Sequence, residues 1–361
     1  MDQLPINSTN SSLAPPGGGA NEPFNTPPKD AGHFTASRWL RRLQSRFQHG
    51  DWLWNAFTIL MGLLVLGLIL GIGFMLWQQS LPAQSQLGLG FFLPGADSSW
   101  NPPDGIFQAW PFIYGTLVTS LVAIIIALPV GSFVAIFLAE LCPQWLRMPL
   151  GTLVELLAAI PSVVFGLWGI FVFLPAVVAP LGDTLSSSLG QAPGLSIFFG
   201  GIMIGSGASR LGAGMVLAIM IVPTIAAVSR DVLLAVPRSQ REAAFALGAT
   251  QWETIWGVLL PYGLSGILGA IILGLGRALG ETMAVTMVIG NSVDNTTSLL
   301  RPGYTMASIL ANEFGDPVNA LHSEALIEVA LVLFVITLLL NAAARYLVWR
   351  VARRTPAGIR A

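Results

Sequence analysis

The sequence predicts an all-α membrane protein with six transmembrane helices. Apolar residues make up 54% of the 361-residue chain and charged residues only 10%, against about 25% charged in an ordinary soluble domain. Six apolar runs are long enough to span a bilayer, which takes about 20 residues of helix. They lie near residues 52–77, 113–141, 150–175, 211–228, 263–287 and 327–349. The single cysteine, Cys142, excludes an intrachain disulfide.

The segment before the first run divides into two parts. Residues 1–36 are rich in Pro, Gly, Asn and Ser and have no apolar core, so we expect a disordered cytoplasmic tail. In residues 37–50, four large apolar residues recur at helical spacing and arginines occupy other positions, a pattern typical of an interfacial helix. We assign 51–350 to the six-helix transmembrane domain and 351–361 to a basic cytoplasmic tail.

Basic residues set the orientation, because cytoplasmic loops carry an excess of Lys and Arg. With both termini in the cytoplasm, most of the 17 basic residues lie inside: Lys29, Arg38, Arg41, Arg42, Arg46, Arg147, Arg230, Arg238, Arg241, Arg345, Arg350, Arg353, Arg354 and Arg360. Only Arg210 and Arg301 lie outside, and Arg277 lies in the membrane. Segments 78–110 and 288–326 should therefore face outward.

Three of the apolar runs contain an internal proline: Pro129, Pro161 and Pro223. Each removes a backbone hydrogen bond and should bend its helix. Three bends together favour a bundle that opens and closes. A further apolar piece, residues 194–205, is too short to span and is expected to be interfacial or re-entrant.

The cytoplasmic loop of residues 229–260 contains an ordered segment. Good helix formers run from Arg241, Gly248 permits a turn, a second helical stretch starts at Gln251, and Pro261 suits the first turn of the next helix. Small residues beside an exposed glutamate allow close contact with another protein. The alternative is a solvated loop helix without a partner.

This loop resembles the EAA loop of the membrane subunits of ABC importers. The matching residues are Glu242, Ala243, Ala244, Gly248, Val258, Leu260 and Pro261, with Val258 where isoleucine is commoner. AIPSVVFGLWG (159–169), the stretch 218–230 and GRALGETMAVTMVIGN (276–291) are similar to PstC-type permeases of bacterial phosphate importers. The resemblance covers about residues 50–350.

The resemblance implies a type I ABC importer permease in the bacterial inner membrane. Its expected partners are a PstA-type permease, a PstB-type ATPase dimer that binds ATP and Mg, and a periplasmic phosphate-binding protein. The ATPase would dock on Arg241, Glu242, Ala243, Ala244, Gly248 and Pro261. The only lysine, Lys29, lies in the tail, so the chain has no G-x-x-x-x-G-K-[ST] loop for ATP. We therefore expect a transport subunit and no enzyme, with no cofactor, metal site or nucleic-acid partner of its own.

Arg277 and Glu281 raise a question, because charge inside a membrane span is costly. Four residues apart on a helix, they should contact each other, with Thr282 alongside. One interpretation is mutual neutralisation. The other follows from the implied substrate: the guanidinium provides the fixed positive charge of an anion path, and Glu281 accepts a hydrogen bond from a protonated phosphate oxygen. We assign Arg277, Glu281 and Thr282 to the substrate path.

Three alternatives remain open from the sequence. A permease for another oxyanion, such as sulfate or molybdate, would share the loop. A secondary transporter or channel would explain six spans and kinked helices, but it would need no docking helix of the EAA pattern. A scaffold or sensor that only relays substrate occupancy could retain both motifs.

Overall fold

The computed structural model describes residues 51–94, 100–201 and 205–354. The chain divides into two compact units, Met1–Leu68 and Ile69–Ala361. The expected tail 1–36, the expected interfacial helix 37–50 and residues 355–361 of the basic tail lie outside the described residues. The described part of the first unit is apolar helix with exposed side chains.

Within those ranges, the regular structure is helical apart from two isolated β-bridges. The helices are α1 (Asp51–Leu87), α2 (Trp110–Ile136), α3 (Gln144–Ala159), α4 (Ser162–Trp168), α5 (Ala179–Ser188), α6 (Ser196–Phe199), α7 (Arg210–Leu234), α8 (Arg238–Ala246), α9 (Gln251–Thr254), α10 (Leu260–Leu279), α11 (Met283–Val288), α12 (Met306–Glu313) and α13 (Ala320–Arg354). Wider π-helical turns, Phe137–Leu141, Gly169–Val178 and Ile255–Leu259, follow α2, α4 and α9.

The predicted number of spans is confirmed by six helical segments that are long and apolar enough to cross a membrane. Their bounds are Trp52–Phe91, Trp110–Leu141, Ser162–Ser188, Arg210–Leu234, Gln251–Leu279 and Ala320–Arg350. Pro129 and Pro223 lie inside α2 and α7, as predicted. In the stretch 194–205 the structure has the single-turn helix α6, too short to span.

The third span is placed differently from the prediction. The expected span 150–175 is cut at Pro161, where α3 ends at Ala159 and α4 begins at Ser162. A proline disfavours helical backbone at the residue before it, and Ile160 is accordingly extended, with ψ 132°. Pro161 therefore separates two helices. Glu155 lies in α3 and pairs with Arg230 at 3.2 Å.

The fifth span also differs, because α10 ends at Leu279 and the prediction carried the span to residue 287. Gly280 follows as the helix cap and α11 starts at Met283. The backbone of Gly280, with φ −95° and ψ 1°, leaves the α-helical region at this point. The break changes the surroundings of Arg277 and Glu281.

The centre of the second unit is the packing of α2 against α7. Glycines allow the close approach: a methyl group added at Gly214 would lie 2.7 Å from Val122, and one at Gly131 would lie 2.9 Å from Ile225. The start of α7 is fixed by the buried Arg210, whose guanidinium donates to the carbonyls of Ser298 and Asp294 at 2.8 and 2.6 Å.

Candidate functional site

The loop with the EAA motif forms a helix, a tight turn and a second helix. Gly248 follows α8 with a φ of +85°, and its N–H donates to the carbonyl of Phe245 while the N–H of Ala249 donates to Ala244. These two bonds make a Schellman motif, which favours glycine because other residues are strained at positive φ. Thr250 and Glu253 cap α9 reciprocally, and Pro261 lies in the first turn of α10. The predicted turn at Gly248 is confirmed.

Arg241 fastens α8 to the ends of two spanning helices. Its guanidinium donates to Oε1 of Glu140 at 2.8 Å, to the carbonyl of Leu233 at 2.8 Å and to the carbonyl of Val236 at 3.1 Å. The Gln251 amide also donates to the Glu140 carbonyl at 3.1 Å. Arg241 is therefore committed within the chain, where it holds α8 in place.

The surface expected for docking is only partly available. Glu242 and Ala243 are exposed, as the motif requires, but Ala244 is buried against its own chain. Ala244 lies three residues after the anchored Arg241, so it falls on the same, inner face of α8. Two large apolar residues at the C-terminal end of α8 that the sequence did not point to are exposed: Phe245 is 49% exposed and Leu247 90%. Exposed apolar residues of this size are suited to contact with another protein.

Arg277 lies in the last turn of α10 and reaches across to α3 and α7. Its Nη1 donates to the carbonyl of Ala158 and to the hydroxyl of Thr224, both at 3.3 Å. The Ala158 carbonyl has no partner within α3, because Pro161 ends that helix. Arg277 lines a cavity of about 600 Å³ between α10 and α13.

The expected contact between Arg277 and Glu281 is wrong. Among the described residues, Arg277 forms none of the ion pairs. The i, i+4 geometry is lost because α10 ends at Leu279. The Glu281 carboxylate instead accepts from the backbone N–H of Ala284 at 3.1 Å, at the start of α11. A carboxylate is favourable there because helix N-terminal N–H groups are unpaired and carry partial positive charge.

Thr282 also lies apart from Arg277. Its hydroxyl donates to the Gly280 carbonyl at 3.3 Å, and it lines a different cavity of about 520 Å³ together with Gln79 and Phe314. The predicted path residues thus follow one another along the break between α10 and α11 without forming one cluster.

Sequence reasoning also missed several residues that contact the predicted ones. Glu140 could have been found as an acid at the end of an apolar run, opposite a basic loop. Ala158 and Thr224 carry no sequence signal, since their role depends on the helix end at Pro161 and on packing. Asn341 and Arg345 share the cavity with Arg277. Their four-residue spacing near the end of the last run was a signal.

Comparison with known proteins agrees with this architecture. The family model described as "Binding-protein-dependent transport system inner membrane component" matches residues 127–353. The phosphate transport system permease protein PstC of Xylella fastidiosa is 45% identical over 280 residues, which cover 78% of this chain and 84% of the relative. That of Mesorhizobium japonicum is 44% identical over 312 residues, covering 86% and 94%.

A solved structure shows the same fold at low sequence identity. A chain of a bacterial alginate ABC transporter, in complex with an alginate pentasaccharide-bound periplasmic protein, aligns with a TM-score of 0.54 at 16% identity and covers 86% of this chain and 99% of its own. Because the family match spans more than half of the sequence, the chain belongs to the inner membrane components of binding-protein-dependent transport systems, and it is a multi-pass transport subunit of an ABC transporter.

Proposed function

We propose that the chain is the permease subunit of an ATP-driven phosphate importer in the bacterial inner membrane. It forms half of the translocation path with a PstA-type permease. A PstB-type ATPase dimer binds ATP and Mg on the cytoplasmic side, and a periplasmic phosphate-binding protein delivers the substrate. The names of relatives that are 44–45% identical over most of the chain support this assignment.

The observation that carries the proposal is the state of Arg277. A guanidinium at the centre of a spanning helix costs about 2.5–3.5 kcal/mol on insertion scales, and Arg277 lies in the last turn of such a helix. Here it has two long hydrogen bonds, no carboxylate partner among the described residues and an adjoining cavity of about 600 Å³. Arg241, by contrast, is paired with the Glu140 carboxylate. An uncompensated, permanently charged donor fork is suited to a transient oxyanion.

Helix α8 is the element that couples this chain to ATP hydrolysis in the partner subunit. The surface that α8 and the turn after it present to the cytoplasm is charged and apolar, and it consists of Glu242, Ala243, Phe245 and Leu247. Arg241 links this surface to the ends of α2 and α7. A push on α8 by an ATPase subunit is thereby transmitted to the two helices that form the centre of the bundle. Gly248 fixes the angle between α8 and α9.

Proteoliposomes that hold the purified complex test the substrate. Labelled phosphate should accumulate only with ATP and binding protein present, and excess unlabelled sulfate or molybdate should not compete. Liposomes that hold the complex without this chain are the control. Accumulation of labelled sulfate in preference to phosphate would contradict the proposal.

A further inference from the structure

The cavity at Arg277 continues along α13 towards the end of that helix. A second cavity, of about 370 Å³, adjoins the first and ends at Val348 and Trp349. Both cavities are lined by Gly269, Ile272 and Arg345. They therefore form one groove between α10 and α13, with Arg277 at one end, and we call it the α10–α13 groove.

Glycines on α10 create the space for this groove. A methyl group added at Gly269 would meet no atom within 4 Å, and one added at Gly276 would lie 3.8 Å from Oδ1 of Asn341. Because these glycines have no side chains, the polar lining opposite them comes from α13. Asn341 and Arg345 are four residues apart, so they lie on one face of α13, about 6 Å apart along its axis.

Arg345 resembles Arg277 in having no compensating charge. Among the described residues it forms none of the ion pairs, and its side chain is exposed. The Asn341 amide donates to the Thr337 carbonyl at 2.8 Å, and its oxygen faces Gly276. Two uncompensated guanidinium groups along one groove would be costly against lipid. The groove therefore suits water and an anion.

The direction of the groove follows from the two helices. Arg277 lies in the last turn of α10, and Gly269 lies two turns nearer the coupling loop. Arg345 and Trp349 lie near the end of α13, which the basic residues assign to the cytoplasm. The groove thus leads from Arg277 towards the cytoplasmic side.

We propose that Asn341 and Arg345 form a second oxyanion-binding station, on the cytoplasmic side of Arg277, that receives the substrate before its release. This inference rests on the proposed function. Because the two positive charges follow one another along the groove, an anion can leave the first charge without entering an apolar stretch that has no positive charge. The sequence count placed Arg345 only among the cytoplasmic basic residues; the structure adds it to the substrate path.

Cysteine labelling tests whether the groove is aqueous. Asn341→Cys and Arg345→Cys, each in a Cys142→Ser background, are treated with a negatively charged, membrane-impermeant thiol reagent on inside-out vesicles that contain the whole complex. Both should react, and inorganic phosphate should slow the reaction. Leu339→Cys, on the opposite, exposed apolar face of α13, is the matched control and should not react. Failure of both groove positions to react would overturn the proposal.

Transport tests whether the groove is used. Arg345→Gln should lower phosphate uptake roughly tenfold, the loss of one charge-assisted hydrogen bond, and Arg345→Lys should recover part of it. Arg350→Gln, which removes the same charge outside both cavities, should stay within about twofold, as expected for an exposed charge. If wild type transports phosphate and Arg345→Gln equals Arg350→Gln, this inference fails alone. If wild type does not transport phosphate, the proposed function fails and takes the inference with it.

Discussion

At the scale of single residues, the break after α10 decides the roles of two charges. Gly280 ends the helix, so Arg277 turns to the free carbonyl of Ala158 and to Thr224, and Glu281 caps α11. The sequence predicted that both charges matter. It could not predict their partners, because one glycine and one distant proline, Pro161, determine which backbone groups are free.

The cap at α11 gives a graded prediction for Glu281. Glu281→Gln keeps an oxygen that can accept from Ala284 but loses the charge, and Glu281→Ala loses both, at a cost of about 1 kcal/mol for a capping group. Phosphate uptake should therefore decrease from wild type to Glu281→Gln to Glu281→Ala, with equal amounts of protein in the membrane. Greater uptake by the alanine variant than by the glutamine variant would contradict the capping role.

Glu328 shows how costly an unsatisfied group is at the residue scale. It lies in α13, it is 1% exposed, and neither carboxylate oxygen has a hydrogen-bond partner. Glu328→Leu should raise the thermal midpoint of the purified complex, since removal of a buried unsatisfied polar group relieves about 1–3 kcal/mol. Glu328→Gln keeps a buried polar group and should give no such gain. A lower midpoint for the leucine variant would show that Glu328 has a partner in the assembled complex.

At the scale of elements, the coupling loop was the most predictable part of the chain. Helix formers, one glycine and one proline predicted a helix, a turn and a second helix, and the structure has all three. Local propensity is sufficient here because the segment is short and its caps are local. The inward face of Ala244 and the anchoring of Arg241 to Glu140 depend on packing against α2 and α7, which the local sequence does not contain.

The turn itself gives a prediction for Gly248. Its φ of +85° strains other residues by roughly 1–2 kcal/mol, and asparagine tolerates such angles better than a β-branched residue. Gly248→Asn should keep most ATP-driven uptake, and Gly248→Val should lose uptake and the stimulation of ATP hydrolysis by binding protein. A Cβ added there would meet no atom within 4 Å, so both variants should insert normally. Equal activity of the two variants would argue against a requirement for this turn.

Arg241 provides the matching test of the anchor. Arg241→Gln removes up to three hydrogen bonds, one of them to the Glu140 carboxylate, and should uncouple hydrolysis from transport. Arg238→Gln removes the same charge from an exposed residue of α8 that forms none of the ion pairs among the described residues, and it should have little effect on stimulated ATPase activity. Similar losses of stimulated ATPase activity in the two variants would mean that the ATPase responds to the net charge of α8 and does not depend on the anchor.

At the scale of the whole molecule, the apolar runs along the chain predicted the number of spans correctly. Lipid requires about 20 apolar residues per helix, so hydropathy reports each crossing directly. It does not report where a span is cut, as the shifted third and fifth segments show. Packing partners of Arg277 come from α3, α7 and α13, which are far apart in sequence, and no periodicity within one segment could have predicted them.

Topology is the whole-molecule prediction. The basic residues place Ser239 in the cytoplasm and Asp316 outside, and both are exposed. In a Cys142→Ser background, an impermeant thiol reagent added to intact cells with a permeable outer membrane should label Asp316→Cys and spare Ser239→Cys. The reverse pattern would invert the molecule and place α8 beyond reach of any cytoplasmic ATPase.

The central claim is that Arg277 supplies the fixed charge of the anion path. Its most direct test is uptake of labelled phosphate by cells that lack their own phosphate importers and carry wild type, Arg277→Lys or Arg277→Gln. Amounts in the membrane and co-purified ATPase should be equal for all three. Uptake should be lost in Arg277→Gln and partly kept in Arg277→Lys, because a point charge lacks the donor fork. Wild-type uptake by an assembled Arg277→Gln complex would contradict it.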